Sequence, residues 1–169
     1  MDTTTAIKRV LPIAALDVVA LAMAYFMPAI AHLTAIPFYV IEPFRIMVLI
    51  SLVIMNNKQN AMVLAITLPL FSFAIAIHPL FPKALLISIE LMFNVQIYSF
   101  LTKKISIQFL TLLISVVVSK AAYYLLKFGF ISVGLMSTSL ISTSLLIQVV
   151  VSVATALLFC LFQKHGTVK

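Results

Sequence analysis

Six long apolar runs follow one another along the chain, separated by short polar stretches. The first covers 10–31 behind Lys8 and Arg9, with Pro12 in its first turn, where a missing N–H costs little. The second covers 36–55, carries Glu42, Pro43 and Arg45, and ends at Asn56-Asn57-Lys58-Gln59-Asn60. The third covers 61–77 and contains Pro69; His78-Pro79-Leu80-Phe81-Pro82-Lys83 follows, and its prolines oppose helix continuation. The fourth covers 84–101 and ends at Thr102-Lys103-Lys104. The fifth covers 107–126, after which Lys127-Phe128-Gly129 opens a loop reaching Gly134. The sixth covers 138–162, before Gln163-Lys164-His165. A membrane-crossing helix takes roughly 20 apolar residues. Barrel strands are about half as long and alternate polar with apolar. The pattern therefore predicts an all-α integral membrane bundle of six transmembrane helices, one domain spanning 1–169.

Composition sharpens this. Hydrophobic residues make up 64% of the chain and charged residues only 9%, with a mean hydropathy of +1.25. A soluble domain carries about 25% charged residues, so a soluble globular fold is excluded, and disorder more firmly still. The single cysteine, Cys160, excludes a disulfide framework and a cysteine-based metal motif. The net charge of +7 does not point to nucleic acid, because basic residues in a membrane protein first report topology.

With the N-terminus inside, the cytoplasmic positions hold Lys8, Arg9, Lys58, Lys103, Lys104, Lys164 and Lys169, against Lys83 and Lys127 outside. Both termini are thus expected in the cytoplasm of a multi-pass cell-membrane protein, of prokaryotic type. A signal-peptide reading of the first run, with cleavage near Ala29-Ile30-Ala31, is disfavoured because the run is too long and Asp17 interrupts it.

Five charged residues fall inside the apolar runs: Asp17, Glu42, Arg45, Glu90 and Lys120. Each costs roughly 2.5–3.5 kcal/mol near the bilayer centre, so they must face the bundle interior or one another. Glu90 and Lys120 each lie about six residues from the outer ends of their runs, at about 1.5 Å per residue, so they share a level. Glu42 enters at a similar depth. Asn94 is at i+4 from Glu90 and Tyr124 at i+4 from Lys120, on the same helix faces. Ser144, Gln148 and Ser152 line one face of the sixth run, with Gln148 at the matching level. Intramembrane ionisable groups that share a level are by default a functional site. The substrate-binding set is therefore Glu42, Glu90, Asn94, Lys120, Tyr124 and Gln148, with His78 as a loop residue within reach of a ligand. Asp17 and Arg45 lie nearer the midplane and are expected to form a structural ion pair. Ala20 and Ala24 form a small-xxx-small pair, which lets another helix backbone approach closely. A lone His makes no metal site, so neither metal nor cofactor is expected.

Taken together, the chain resembles the substrate-binding S-components of energy-coupling factor (ECF) vitamin transporters. The resemblance rests on six short spans, an Ala-rich first helix and a polar outer cavity. Locally it covers Glu42 to Asn94: Pro43-Phe44-Arg45, Leu68-Pro69-Leu70-Phe71-Ser72, His78-Pro79-Leu80-Phe81-Pro82-Lys83, and Ile89-Glu90-Leu91 with Asn94. It implies a protein that binds a vitamin or related micronutrient at the outer face and docks on a membrane coupling protein with two ATPase subunits. Ala20 and Ala24 match the spacing by which the family's first helix meets the coupling protein. Ile77 stands where the family pattern leads one to expect glycine before His78-Pro79. No Walker G-x-x-x-x-G-K-[ST] motif occurs in the chain, so ATP hydrolysis would fall to another chain.

Two rival classes are weighed against this. A small multi-span scaffold of the cell-elongation type has similar length and hydropathy but no need for a level cluster of polar groups. An intramembrane enzyme needs a nucleophile–base pair or metal ligands; there is no H-E-x-x-H, and Cys160 lies near the cytoplasmic end. No enzymatic activity is expected. The charge count itself is testable. In a Cys160→Ser background, Asn57→Cys and Lys103→Cys should resist an impermeant thiol reagent applied to intact cells, whereas Lys83→Cys should react. Labelling at position 57 from outside would reverse the topology.

Overall fold

Helix follows helix through the computed structural model, which describes residues 3–34, 41–76, 80–141 and 144–166. The elements are α1 (Thr3–Thr34), α2 (Pro43–Leu49, continued by a π-helical turn Ile50–Ile54), α3 (Lys58–Ala76), α4 (Phe81–Leu101), α5 (Gln108–Ser132) and α6 (Leu145–Gly166). No strand occurs among the described residues. α3, α4, α5 and α6 are long and apolar enough to cross a membrane. The chain is an all-helical bundle with the character of a membrane protein.

Of the other two expected spans, the first contains the shorter apolar stretch Val10–Phe26 of α1, and the second departs further. Its helix has seven α-helical residues and five π-helical ones, about 18 Å at 1.5 Å per residue, against a hydrocarbon core of about 30 Å. It is a half-helix. Residues 36–40 of the expected span lie outside the described residues. The far end of α2 is shaped by polar side chains. Asn56 takes the left-handed conformation, φ 50°, which Asn tolerates better than most residues. Asn57 then caps α3, its Oδ1 accepting from the Asn60 backbone N–H at 3.0 Å. Ser51, in the π turn, donates to the Asn57 carbonyl at 3.3 Å.

α3 and α4 run antiparallel: Lys58 at the start of α3 donates to Gln96 near the end of α4 at 2.9 Å, while Ser88 meets the Ile66 carbonyl. α4 packs on α5, α5 on α6, and α1 chiefly on α3. The core gathers Leu16, Ala20 and Ala24 of α1 with Leu64, Ala65 and Leu68 of α3 and Leu91 and Val95 of α4. This corrects the docking role expected of Ala20 and Ala24. They are 1% and 0% exposed, facing the bundle's own interior. The physical effect of small residues is the expected one, close helix approach, but the helices brought together belong to one chain.

The end of α5 is a second correction. The helix does not stop at Lys127-Phe128-Gly129 but continues to Ser132. Gly134, with φ 77°, supplies the left-handed residue that ends it. Its N–H bonds the Ile131 carbonyl at 3.0 Å, and that of Leu135 bonds the Phe130 carbonyl at 2.9 Å, the paired bonds of a Schellman cap. The chain then stays non-helical to 141, so α6 starts at Leu145 rather than at 138. The two glycines should therefore respond in opposite ways. A Cβ at Gly129 meets no atom within 4 Å, so Gly129→Ala should raise stability by up to about 1 kcal/mol through helix propensity. Gly134→Ala should cost about 1 kcal/mol, because alanine resists positive φ. Thermal unfolding in detergent reads both.

Candidate functional site

Four charged side chains are gathered around the start of α2. Glu42 precedes the helix with φ 54° and ψ 57°, and its side chain caps nothing. Pro43 occupies the first turn, where its fixed φ suits a helix start. The left-handed turn at Glu42 directs the carboxylate away from the helix end and onto two cations. One oxygen lies 2.7 Å from Arg45 Nη1, an i,i+3 ion pair. The other meets the Lys120 ammonium of α5. Arg45 also reaches Glu90 of α4. The result is a linear chain of charges, Lys120–Glu42–Arg45–Glu90, running across three helices with no net charge. Arg45 and Glu90 are buried, 3% and 7% exposed, and pairing is what makes such burial tolerable.

Neutral groups surround the chain. Asn94 is fully buried one turn from Glu90, and its Nδ2 donates to Ser119 Oγ at 3.4 Å. Asn94 Oδ1 and both Nε and Nη1 of Arg45 are buried without a hydrogen-bond partner. Toward the α5–α6 end, Tyr124 and Gln148 share a hydrogen bond, with the Tyr124 hydroxyl 2.8 Å from Gln148 Oε1. The Tyr123 and Tyr124 rings meet edge to face. One turn further, Lys127 is 2% exposed and donates to the carbonyls of Ser139 and Leu140, both at 2.8 Å.

Glu42, Glu90, Asn94 and Lys120 are thus brought together, and Tyr124 and Gln148 form a separate layer beside them. Three details depart from the sequence reading. The site lies at mid-depth, not in one half. Glu90 has nine residues of α4 before it (81–89) and eleven after (91–101), and Lys120 has twelve of α5 on either side (108–119 and 121–132). α4 starts at Phe81 rather than at 84, and α5 runs to Ser132 rather than to 126, which together account for the shift. Second, Lys120 pairs with Glu42, and Glu90 with Arg45.

Third, Asp17 and Arg45 do not pair. Asp17 accepts from Asn60 Nδ2 at 2.9 Å, and the same nitrogen lies 3.2 Å from Ser51 Oγ. The reason is axial. The first turn of α3 is level with Gln96, held there by Lys58. Gln96 lies six positions beyond Glu90, or about 9 Å along the helix. Asp17 is therefore a turn or two from the charge chain, on the side of the α4–α5 turn. His78 lies outside the described residues.

Two members of the site lie outside the expected substrate-binding set. Arg45 is expected to pair with Asp17, although its i,i+3 spacing from Glu42 carries a legible signal for this site. Lys127 is at i+7 from Lys120, hence on the same helix face, but lies beyond the end of the apolar run. The arrangement sets fixed, paired charges beside neutral hydrogen-bonding groups. Among the described residues no three His, Cys, Asp or Glu side chains gather as a metal site.

In comparisons with known proteins, no family model, no curated protein and no solved structure matches the chain.

The charge chain makes a direct prediction. Glu90→Gln leaves the buried Arg45 with one anion instead of two and should destabilise the protein by about 3 kcal/mol. Adding Arg45→Met should recover much of that loss, because the uncompensated charge is gone. Asp17→Asn, outside the chain, should cost under about 1 kcal/mol. Melting temperatures of the variants in one detergent provide the comparison, and an Asp17→Asn loss as large as that of Glu90→Gln would contradict the pairing.

Proposed function

We propose that this protein is the membrane-embedded substrate-binding subunit of an ECF-type importer in a prokaryotic cell membrane. On this reading the bundle crosses the membrane six times, with both termini in the cytoplasm. It captures a vitamin or related micronutrient from the outer face. It then docks on a membrane coupling protein driven by two ATPase subunits. The observation that carries the reading is a set of orphaned groups inside the cluster, Asn94 Oδ1 with Nε and Nη1 of Arg45. Buried polar groups nearly always find a partner. Here an acceptor on α4 and donors on α2 stand without one, beside four charges whose positions are mutually fixed. A ligand presenting a donor and acceptors satisfies them. Half-helices that start at mid-depth are a recurrent way to build binding sites in transporters, and α2 is such a helix. Docking does not fall to Ala20 and Ala24, which the core consumes.

A scaffold of the cell-elongation type is the second reading. It is favoured by one fact: all four charges are compensated within the protein, so the bundle is electrically complete without a ligand.

The two readings separate on a single preparation. Protein purified from its native membrane is extracted, and the small molecules carried with it are identified by mass spectrometry. The transport reading expects one molecule near unit stoichiometry. Asn94→Ala should weaken its retention about tenfold, or 1.4 kcal/mol, without lowering the melting temperature. A preparation free of small molecules that retains cell-wall synthesis proteins instead would establish the scaffold.

A further inference from the structure

The largest fully buried side chain among the described residues is not apolar but Lys127. Its ammonium holds no carboxylate among those residues; its partners are two backbone carbonyls, Ser139 and Leu140. Those carbonyls belong to the segment 133–141, whose own residues are mostly exposed. The ammonium thus fastens an otherwise exposed strap over the end of α5. Hydrogen bonds from a charged donor are the strong kind, about 1.5–3 kcal/mol each, and here two are placed on neighbouring peptide units.

Lys127 is the last member of a polar stripe. Lys120, Tyr123, Tyr124 and Lys127 occur at i, i+3, i+4 and i+7 on α5, one face of the helix. The stripe leads from the strap to Glu42 at mid-depth. α6, the next helix, buries few side chains in its first turns. Of the described side chains of α6, only Ser152, Ala156 and Phe159 are buried, and none of residues 145–151 is. In that stretch the polar tie to α5 is Gln148 with Tyr124. A strap with few buried contacts, held by a localised set of polar bonds, is the kind of element that opens independently of the core.

We propose that the strap 133–141 and the first turns of α6 form a gate over the mid-depth charge cluster, latched to α5 by Lys127 and secondarily by Tyr124. Opening it exposes the stripe from Tyr124 down to Lys120. The inference takes from the preceding reading only that the cluster is what a ligand reaches.

The test needs no ligand, so its failure would leave the substrate-binding reading standing. Ser119→Cys, beside Asn94, and Ser51→Cys, beside Asn60, are made in the Cys160→Ser background; both serines are fully buried. Reactivity with a small charged methanethiosulfonate is measured in nanodiscs, where both faces meet the reagent. Lys127→Met keeps the side-chain stem and removes the ammonium. It should speed labelling at position 119 about tenfold, equivalent to 1.4 kcal/mol of lost closure, and leave position 51 unchanged. Lys127→Arg, which can still donate to both carbonyls, should remain near the parent rate. An unchanged rate at 119 in Lys127→Met would overturn the gate. So would an equal rise at both positions, which would make Lys127 a general support of the fold.

Discussion

Four charges at the middle of an apolar bundle can be tolerated only if they meet each other, and that requirement organises this protein. The order Lys120–Glu42–Arg45–Glu90 alternates in sign and joins α5, α2 and α4. Glu42 is the branch point, since its carboxylate alone contacts both cations. To reach both it must stand where a helix begins, free of helical geometry, and its left-handed backbone provides that freedom at a cost of roughly 1–2 kcal/mol for a non-glycine residue. The half-length of α2 follows. A full-length helix would carry Glu42 within its body, where φ near −63° would turn the carboxylate along the helix face toward Arg45 but not also across to α5.

The rest of the bundle supports this arrangement with weaker, more local means. α1 lies close on α3 because Ala20, Ala24 and Ala65 leave room, and dispersion between packed backbones and side chains holds them. The turn between α2 and α3 is tied by Asn57, Asn60, Ser51 and Asp17, which keeps a lone carboxylate satisfied by neutral donors well away from the charge chain. α6 buries few of its described side chains, Ser152, Ala156 and Phe159.

Much of this was legible in the chain itself, for identifiable reasons. Apolar runs of membrane length mark helices directly, and four of the six runs became helices long enough to cross. Intramembrane charges are so costly that their convergence follows from their existence, and Glu42, Glu90 and Lys120 did converge. Partner choice did not follow, because it depends on axial level and a few residues of error in a helix end change it. Gly129 and Gly134 show the difficulty: either could end α5, and only the backbone hydrogen bonds to Ile131 and Phe130 decide for Gly134. An end at Leu126 instead of Ser132 moves Lys120 outward and places Lys127 in a loop. The Pro43 start of α2 was visible as a sequence feature, but a proline in an apolar run is compatible with a kink as well as a beginning. A small-xxx-small pair reports close approach without saying to which helix, so Ala20 and Ala24 pointed to a partner they do not face.

The central claim is that the four charges act as one chain and not as two independent pairs. Its most direct test is the coupling energy between the two ends, Lys120 and Glu90, which bond to the middle members and not to each other. Unfolding free energies of Lys120→Met, Glu90→Gln and the double variant close the cycle. A single chain predicts coupling of about 1 kcal/mol, transmitted through Glu42 and Arg45, within the 0.5–3 kcal/mol found for residues of one network. Strict additivity of the two single losses would contradict it.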